Sequence, residues 1–237
     1  MKKYTHITVT TLLFLTLFVA SSNASTILGF TSSSVNSSSN FTISDIAGTT
    51  SLLDFGHLSV TIAKNSGTDV SQMLGAQVIM SSVEIDETSK SLVTSLGGFN
   101  IYSYSIDTPT IMNGFQVKLQ GNIVLEADLT LTELVTTGKC GSIDSGFSVN
   151  LTDVQVFTSG LDATVTAFLE SFLPGGDLTI GLVSYSELFE DAIGVEDIEG
   201  AVNGEMQPVP EPMAFLFMGW GMAFLYYFRK VSYLIKK

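Results

Sequence analysis

From Phe115 to Leu131 the chain alternates with a period of two. Phe115, Val117, Leu119, Gly121, Ile123, Leu125, Ala127, Leu129 and Leu131 fall on one side. Gln116, Lys118, Gln120, Asn122, Glu126, Asp128 and Thr130 fall on the other, with Val124 the single exception. Only an extended chain keeps such a stripe together, because successive side chains of a strand point to opposite faces. This stretch is therefore β structure with one face in a core and the other in water. Gly121-Asn122 interrupts it: either a three-residue hairpin loop, Gln120 to Asn122, pairs Leu119 with Ile123 on the apolar face, or the strand bends at the glycine and continues.

Other runs repeat the pattern. His57 to Ala63 sets Leu58, Val60 and Ile62 on one side, Gln77 to Asp86 sets Ile79, Val83 and Ile85, and Phe99 to Asp107 sets Tyr102, Tyr104 and Ile106. Phe147 to Phe157 changes phase between Leu151 and Val154, which predicts a bulge near Asp153. Ala163 to Phe172 and Leu178 to Tyr185 flank the turn signal PGGD and read as two further strands. A short helix is expected at Ser186 to Ile193. Many half-buried strands without intervening amphipathic helices point to an antiparallel sandwich or a related barrel. The fold expected is mainly β, an antiparallel β-sandwich of jelly-roll or Ig-like kind, with an N-terminal signal peptide and one C-terminal transmembrane helix.

The chain divides accordingly. Residues 1–24 open with Met1-Lys2-Lys3, pass through the apolar LLFLTLFVA and end in small residues, the layout of a secretory signal peptide cut between Ala24 and Ser25. Residues 25–195 form the exported domain, 196–208 an acidic linker, and 209–237 a terminal segment with a helix at about 213–228. Met213 to Phe228 holds sixteen residues without a charge. As a helix that is about 24 Å, a short span for a hydrocarbon core of about 30 Å. Arg229 and Lys230 follow as a stop, in keeping with positive charge on the cytoplasmic side.

Charge and composition narrow the function. Between residues 25 and 208, four lysines stand against 22 carboxylates, a balance of −18. Such a surface repels phosphate backbones, so nucleic acid is not a partner. Cys140 is the only cysteine, which leaves no internal disulfide and no multi-cysteine metal site. His57 is the only histidine of this body, and the nucleophile elbow G-x-S-x-G is absent, as are phosphate-binding glycine loops. The pairs Glu84 and Asp86, and Glu126 and Asp128, offer oxygen ligands for calcium, yet a solvated strand face looks the same. No cofactor, metal site or catalytic residue is assigned. Tyr102 and Tyr104 would form a carbohydrate-stacking platform if exposed. Asn36, Asn40 and Asn150 start N-x-[ST] sequons.

Val209-Pro210-Glu211-Pro212, followed by the apolar run and the basic pair, resembles the PEP-CTERM sorting signal. The resemblance covers residues 209 to 230. It implies Pro210, Glu211 and Pro212 as the motif engaged by an exosortase-type processing enzyme, Arg229 and Lys230 as the stop, and a Gram-negative host. The tail VSYLIKK extends beyond the point where family members usually end. The reading is then a non-enzymatic protein exported through the secretion translocon, anchored in the inner membrane as precursor, and destined for the cell surface or an extracellular polysaccharide biofilm matrix. Alternatives are a carbohydrate- or calcium-binding surface module and an exported hydrolase.

Overall fold

The computed structural model describes residues 26–32, 41–46, 48–96, 99–131, 133–136, 145–184 and 198–209. Its strands are β1 (Ile27–Ser32), β2 (Phe41–Asp45), β3 (Thr50–Phe55), β4 (Leu58–Asn65), β5 (Thr68–Asp69), β6 (Gln77–Met80), β7 (Val83–Leu96) and β8 (Phe99–Ile106). They continue with β9 (Thr110–Leu119), β10 (Asn122–Leu131), β11 (Glu133–Thr136), β12 (Ser145–Val156), β13 (Gly176–Ser184) and β14 (Ile198–Pro208). A 3-10 turn, Ser71–Met73, lies between β5 and β6, and one α-helix, α1 (Ala163–Glu170), between β12 and β13.

The expected sandwich is corrected to a closed antiparallel barrel of eight strands. The ring runs β4, β1, β14, β13, β12, β10, β9, β6 and back to β4, and every neighbouring pair is antiparallel. The remaining long strands prolong the same wall. β2 pairs with β14 beyond β1, β11 pairs with β12 beyond β10, and β2, β3, β7, β8 and β11 join side by side between them. Five of the eight paths are thus broken midway: β1/β2, β3/β4, β6/β7, β8/β9 and β10/β11. Closure decides between the two architectures, because it pairs the first strand with the last and leaves no free edge in the ring.

Breaks and bulges let long strands coil around a barrel. In β10 the register passes from Ile123↔Lys118 to Leu125↔Val117, so Val124 is the extra residue. It is buried beside Leu125, which explains the one exception in the alternation. The bulge expected near Asp153 is present: Glu126 faces Gln155, Asp128 faces Thr152, and Asp153 has φ 48°. A second bulge in β4 puts Ile62 outside and Ala63 inside. In the path β6/β7, Val78 and Met80 are buried rather than Ile79. The hairpin between β9 and β10 is also corrected: Leu119 pairs with Asn122, so Gln120-Gly121 is a two-residue loop. Both residues have positive φ, 52° and 85°, as a type I′ turn requires.

Two other readings change. The run Ala163 to Phe172 is not extended: Ala163–Glu170 is an α-helix and a turn follows it. Val165, Phe168, Leu169 and Phe172 are buried at i, i+3, i+4 and i+7, one helical stripe. Asp162 caps it, its carboxylate accepting from the backbone N–H of Thr164 at 2.8 Å and of Val165 at 2.9 Å. Ile198–Pro208, within the expected linker 196–208, is β14, which closes the barrel with Ile198, Val202 and Met206 buried. The helix expected at Ser186 to Ile193 lies outside the described residues, as does the span expected at 213–228. Among the described residues no helix is long and apolar enough to cross a membrane.

The core is one cluster filling the barrel and running into α1. Phe168 and Phe172 meet edge to face at 5.4 Å between centroids, covering one barrel end. That end also carries the turn Gln120-Gly121, the 3-10 turn, the start of β1 and the end of β14.

The cap supplies a pH prediction. The Val165 N–H foremost holds the Asp162 carboxyl below the usual carboxylate range; desolvation, the next influence, opposes it, and the Gln72 side chain and the Thr164 N–H add to the lowering. A depressed folded value means stability present above the unfolded carboxyl's pKa and lost as pH falls through the folded one. Asp162→Ala is therefore expected to lower Tm slightly at neutral pH and to leave it unchanged in strong acid. A deficit of the same size at both pH values would assign the loss to packing instead of the charged cap.

Candidate functional site

The two ends of the barrel differ, and each gathers residues of interest. At the helix-capped end the last strand runs out beside the loop that follows α1. Gly176 pairs with Pro208, and the Val209 N–H donates to the Gly175 carbonyl at 3.1 Å. Gly175 has φ 122°, and a Cβ there would lie 3.1 Å from the Leu151 carbonyl oxygen, so this turn of PGGD needs glycine. Val209, the last described residue, is thus held to this loop, and Pro210-Glu211-Pro212 follow it in the sequence. β1 starts at the same end: Leu28 pairs with Met206, Ile27 pairs with Lys64, and the Thr26 hydroxyl donates to Asn65 Oδ1 at 3.1 Å. Ala24, Ser25, Pro210, Glu211, Pro212, Arg229, Lys230 and Cys140 lie outside the described residues.

Toward the opposite end the wall turns polar. Ser51 is fully buried and donates to Glu87 Oε1 at 2.7 Å. Between Asp86↔Ser105 and Ser91↔Ser103 the residues 87–90 bulge from β7. Their Lys90 ammonium lies 4.3 Å from the Tyr102 ring centre and 5.9 Å from that of Tyr104, within cation–π range. Thr136, paired with Tyr102 across the ladder, is buried with no hydrogen-bond partner for Oγ1. Ser184 is buried as well. Polar Glu87 and Lys90 carried no motif, and only their position in the barrel brings them to Ser51 and the tyrosines.

The other expected residues do not converge. Tyr104 is buried and Tyr102 packs partly buried against the core beneath Lys90, so the stacking platform is lost. His57 is exposed. Glu84 is exposed, and Asp86 Oδ1 accepts from the Thr88 N–H and hydroxyl. Glu126 Oε2 accepts from Gln116 and Asp128 Oδ1 from the Asn113 N–H, which supports the bulge where Asn113 has φ 51°. Among the described residues no three of His, Cys, Asp and Glu come together in a group able to hold a metal. Asn150 is exposed on β12, while Asn36 and Asn40 lie outside the described residues.

The outward positions carry Glu126, Asp128, Asp177, Glu199 and Glu205 around an apolar interior. A barrel that crosses a membrane has the reverse arrangement. The class defined is an acidic, apolar-filled, antiparallel barrel with a helical lid. Set against protein-family models, curated proteins and solved structures, the chain matches none of them.

Proposed function

We propose that this chain is the precursor of an exported, non-enzymatic cell-surface or extracellular-matrix protein, with the acidic barrel as its mature body. The signal peptide of residues 1–24 takes it through the translocon. The apolar segment 213–228 holds it in the inner membrane, with Arg229 and Lys230 as the stop. An exosortase-type enzyme engages Pro210-Glu211-Pro212 and releases the barrel toward the surface polysaccharide.

One observation carries this reading. The first strand of the ring begins at Ile27, three residues past Ala24, and its last strand ends at Pro208, two before Pro210. Cutting at either expected point would remove no residue from any strand of the ring. Replacing Glu211 by Ala is expected to leave the mature protein heavier by the terminal segment and to abolish its surface display. Unchanged mass and display would defeat the sorting role.

A further inference from the structure

We infer that the helix-capped end of the barrel is a lipid-docking face, seated on the bilayer interface as long as residues 213–228 anchor the chain. The inference rests on the anchor reading of that segment and adds an orientation and a contact to it.

The geometry starts from the absence of a spacer. β14 extends to Pro208, and Val209 is held to Gly175. Met213, the first residue of the apolar run, is four residues further on. Four residues reach at most about 14 Å when fully extended. The headgroup layer beside each face of the hydrocarbon core is itself about 5–8 Å thick. A barrel so tethered stands at most about 6–9 Å above the headgroups, and the end held nearest the membrane is the one bearing Val209. The start of β1 lies at that end too, so the precursor before signal cleavage is tied there by both of its apolar segments.

What that end presents fits an interface. Leu74, in the turn before β6, is 49 % exposed, Phe157 at the end of β12 is 44 %, and Leu173 after α1 is 49 %. Leu173 stands two residues from Gly175, the anchor point of Val209. Exposed leucine and phenylalanine side chains at the end held nearest the bilayer are of the kind that interfacial insertion uses. Asp69, Asp162, Glu170 and Asp177 occupy the same end, so charge does not attract it to anionic lipid. The contact is made by apolar insertion, so salt, which screens the repulsion between these carboxylates and anionic lipid, does not weaken it. Ile46, Leu92 and Val93 are also exposed, but in the half of the wall built by β2, β3, β7 and β8, which the anchor directs away from the membrane. They provide the internal control.

The test uses the full chain in vesicles of phosphatidylethanolamine and phosphatidylglycerol containing doxyl-labelled acyl chains. In a Cys140→Ser background, single labelling sites are made by Leu74→Cys, Phe157→Cys, Leu173→Cys, Leu92→Cys and Met218→Cys, each carrying an environment-sensitive fluorophore. Labels at 74, 157 and 173 are expected to be quenched several-fold more than the label at 92, at low and high salt alike. If the label at 218 is quenched and those at 74, 157 and 173 match 92, docking is overturned while the anchor stands. If the label at 218 is not quenched, the anchor reading falls and docking falls with it.

Discussion

Gly204→Ala is expected to destabilise the barrel by about 2–3 kcal/mol, a large loss for a single added methyl group. A Cβ at Gly204 would lie 2.2 Å from Phe30 Cζ and 2.5 Å from Cε2. The ring has nowhere to go: Phe30 is buried, with Phe115 at 6.2 Å between centroids. Gly204 and Phe30 face each other across β14 and β1, so the ring lies over the space a side chain would fill. Phe30→Ala alone is expected to cost about 3–5 kcal/mol through the cavity it opens. The pair should not add. Once the ring is gone the clash disappears, so Gly204→Ala on the Phe30→Ala background should cost little or recover some stability. Urea unfolding of the two single variants and the double variant measures this, with an interaction energy of at least about 1 kcal/mol expected. Simple additivity would show that the ring and the glycine do not share that space.

The same pairing explains what the sequence concealed. β14 alternates correctly, with Ile198, Gly200, Val202, Gly204 and Met206 pointing inward. Two of those five are glycines, and carboxylates at 196, 197, 199 and 205 surround them, so the apolar stripe fades and the segment reads as a spacer. The missing volume comes from elsewhere in the chain. Phe41 sits across from Gly200, where a Cβ would be 2.4 Å from Phe41 Cε1 and 2.1 Å from the Val183 carbonyl oxygen. Residues more than 150 positions away supply the side chains for the strand, and no local window contains them.

Where each strand carries its own apolar side chains, the reading succeeds. The stripe from Phe115 to Leu131 is a wall of the barrel, and the phase change at Asp153 is a bulge. Sandwich and barrel share this alternation, so periodicity cannot separate them. What separates them is the pairing of β1 with both β4 and β14, a long-range register that no strand announces by itself. The helix was missed because threonine and valine at its start favour strands, while its cap, Asp162, lies one residue ahead of the span considered. The polar residues near Tyr102 had no spacing to betray them, being drawn from β3, β7, β8 and β11.

A chain ending at residue 197 is expected to have no cooperative unfolding transition at all. A linker could be removed at little cost, but β14 pairs with β13 from Gly176↔Pro208 to Ser184↔Gly200 and with β1 and β2 on its other side. Losing it strips Ile198, Val202 and Met206 from the core, at about 2–5 kcal/mol for each large side chain. The sum reaches the whole stability of an ordinary domain, about 5–15 kcal/mol, before the broken ladders are considered. The truncation also exposes two long strand edges, on β13 and on β1, which invite pairing with any extended peptide. A synthetic peptide of residues 198–208 should therefore restore a transition, and the same peptide carrying Gly204→Ala should do so poorly. Thermal melts followed by circular dichroism decide it: a truncated chain melting like the full body would return the segment to the role of a spacer. With β14 in place, Pro208 and Val209 are held to Gly176 and Gly175, directly ahead of the proposed motif Pro210-Glu211-Pro212.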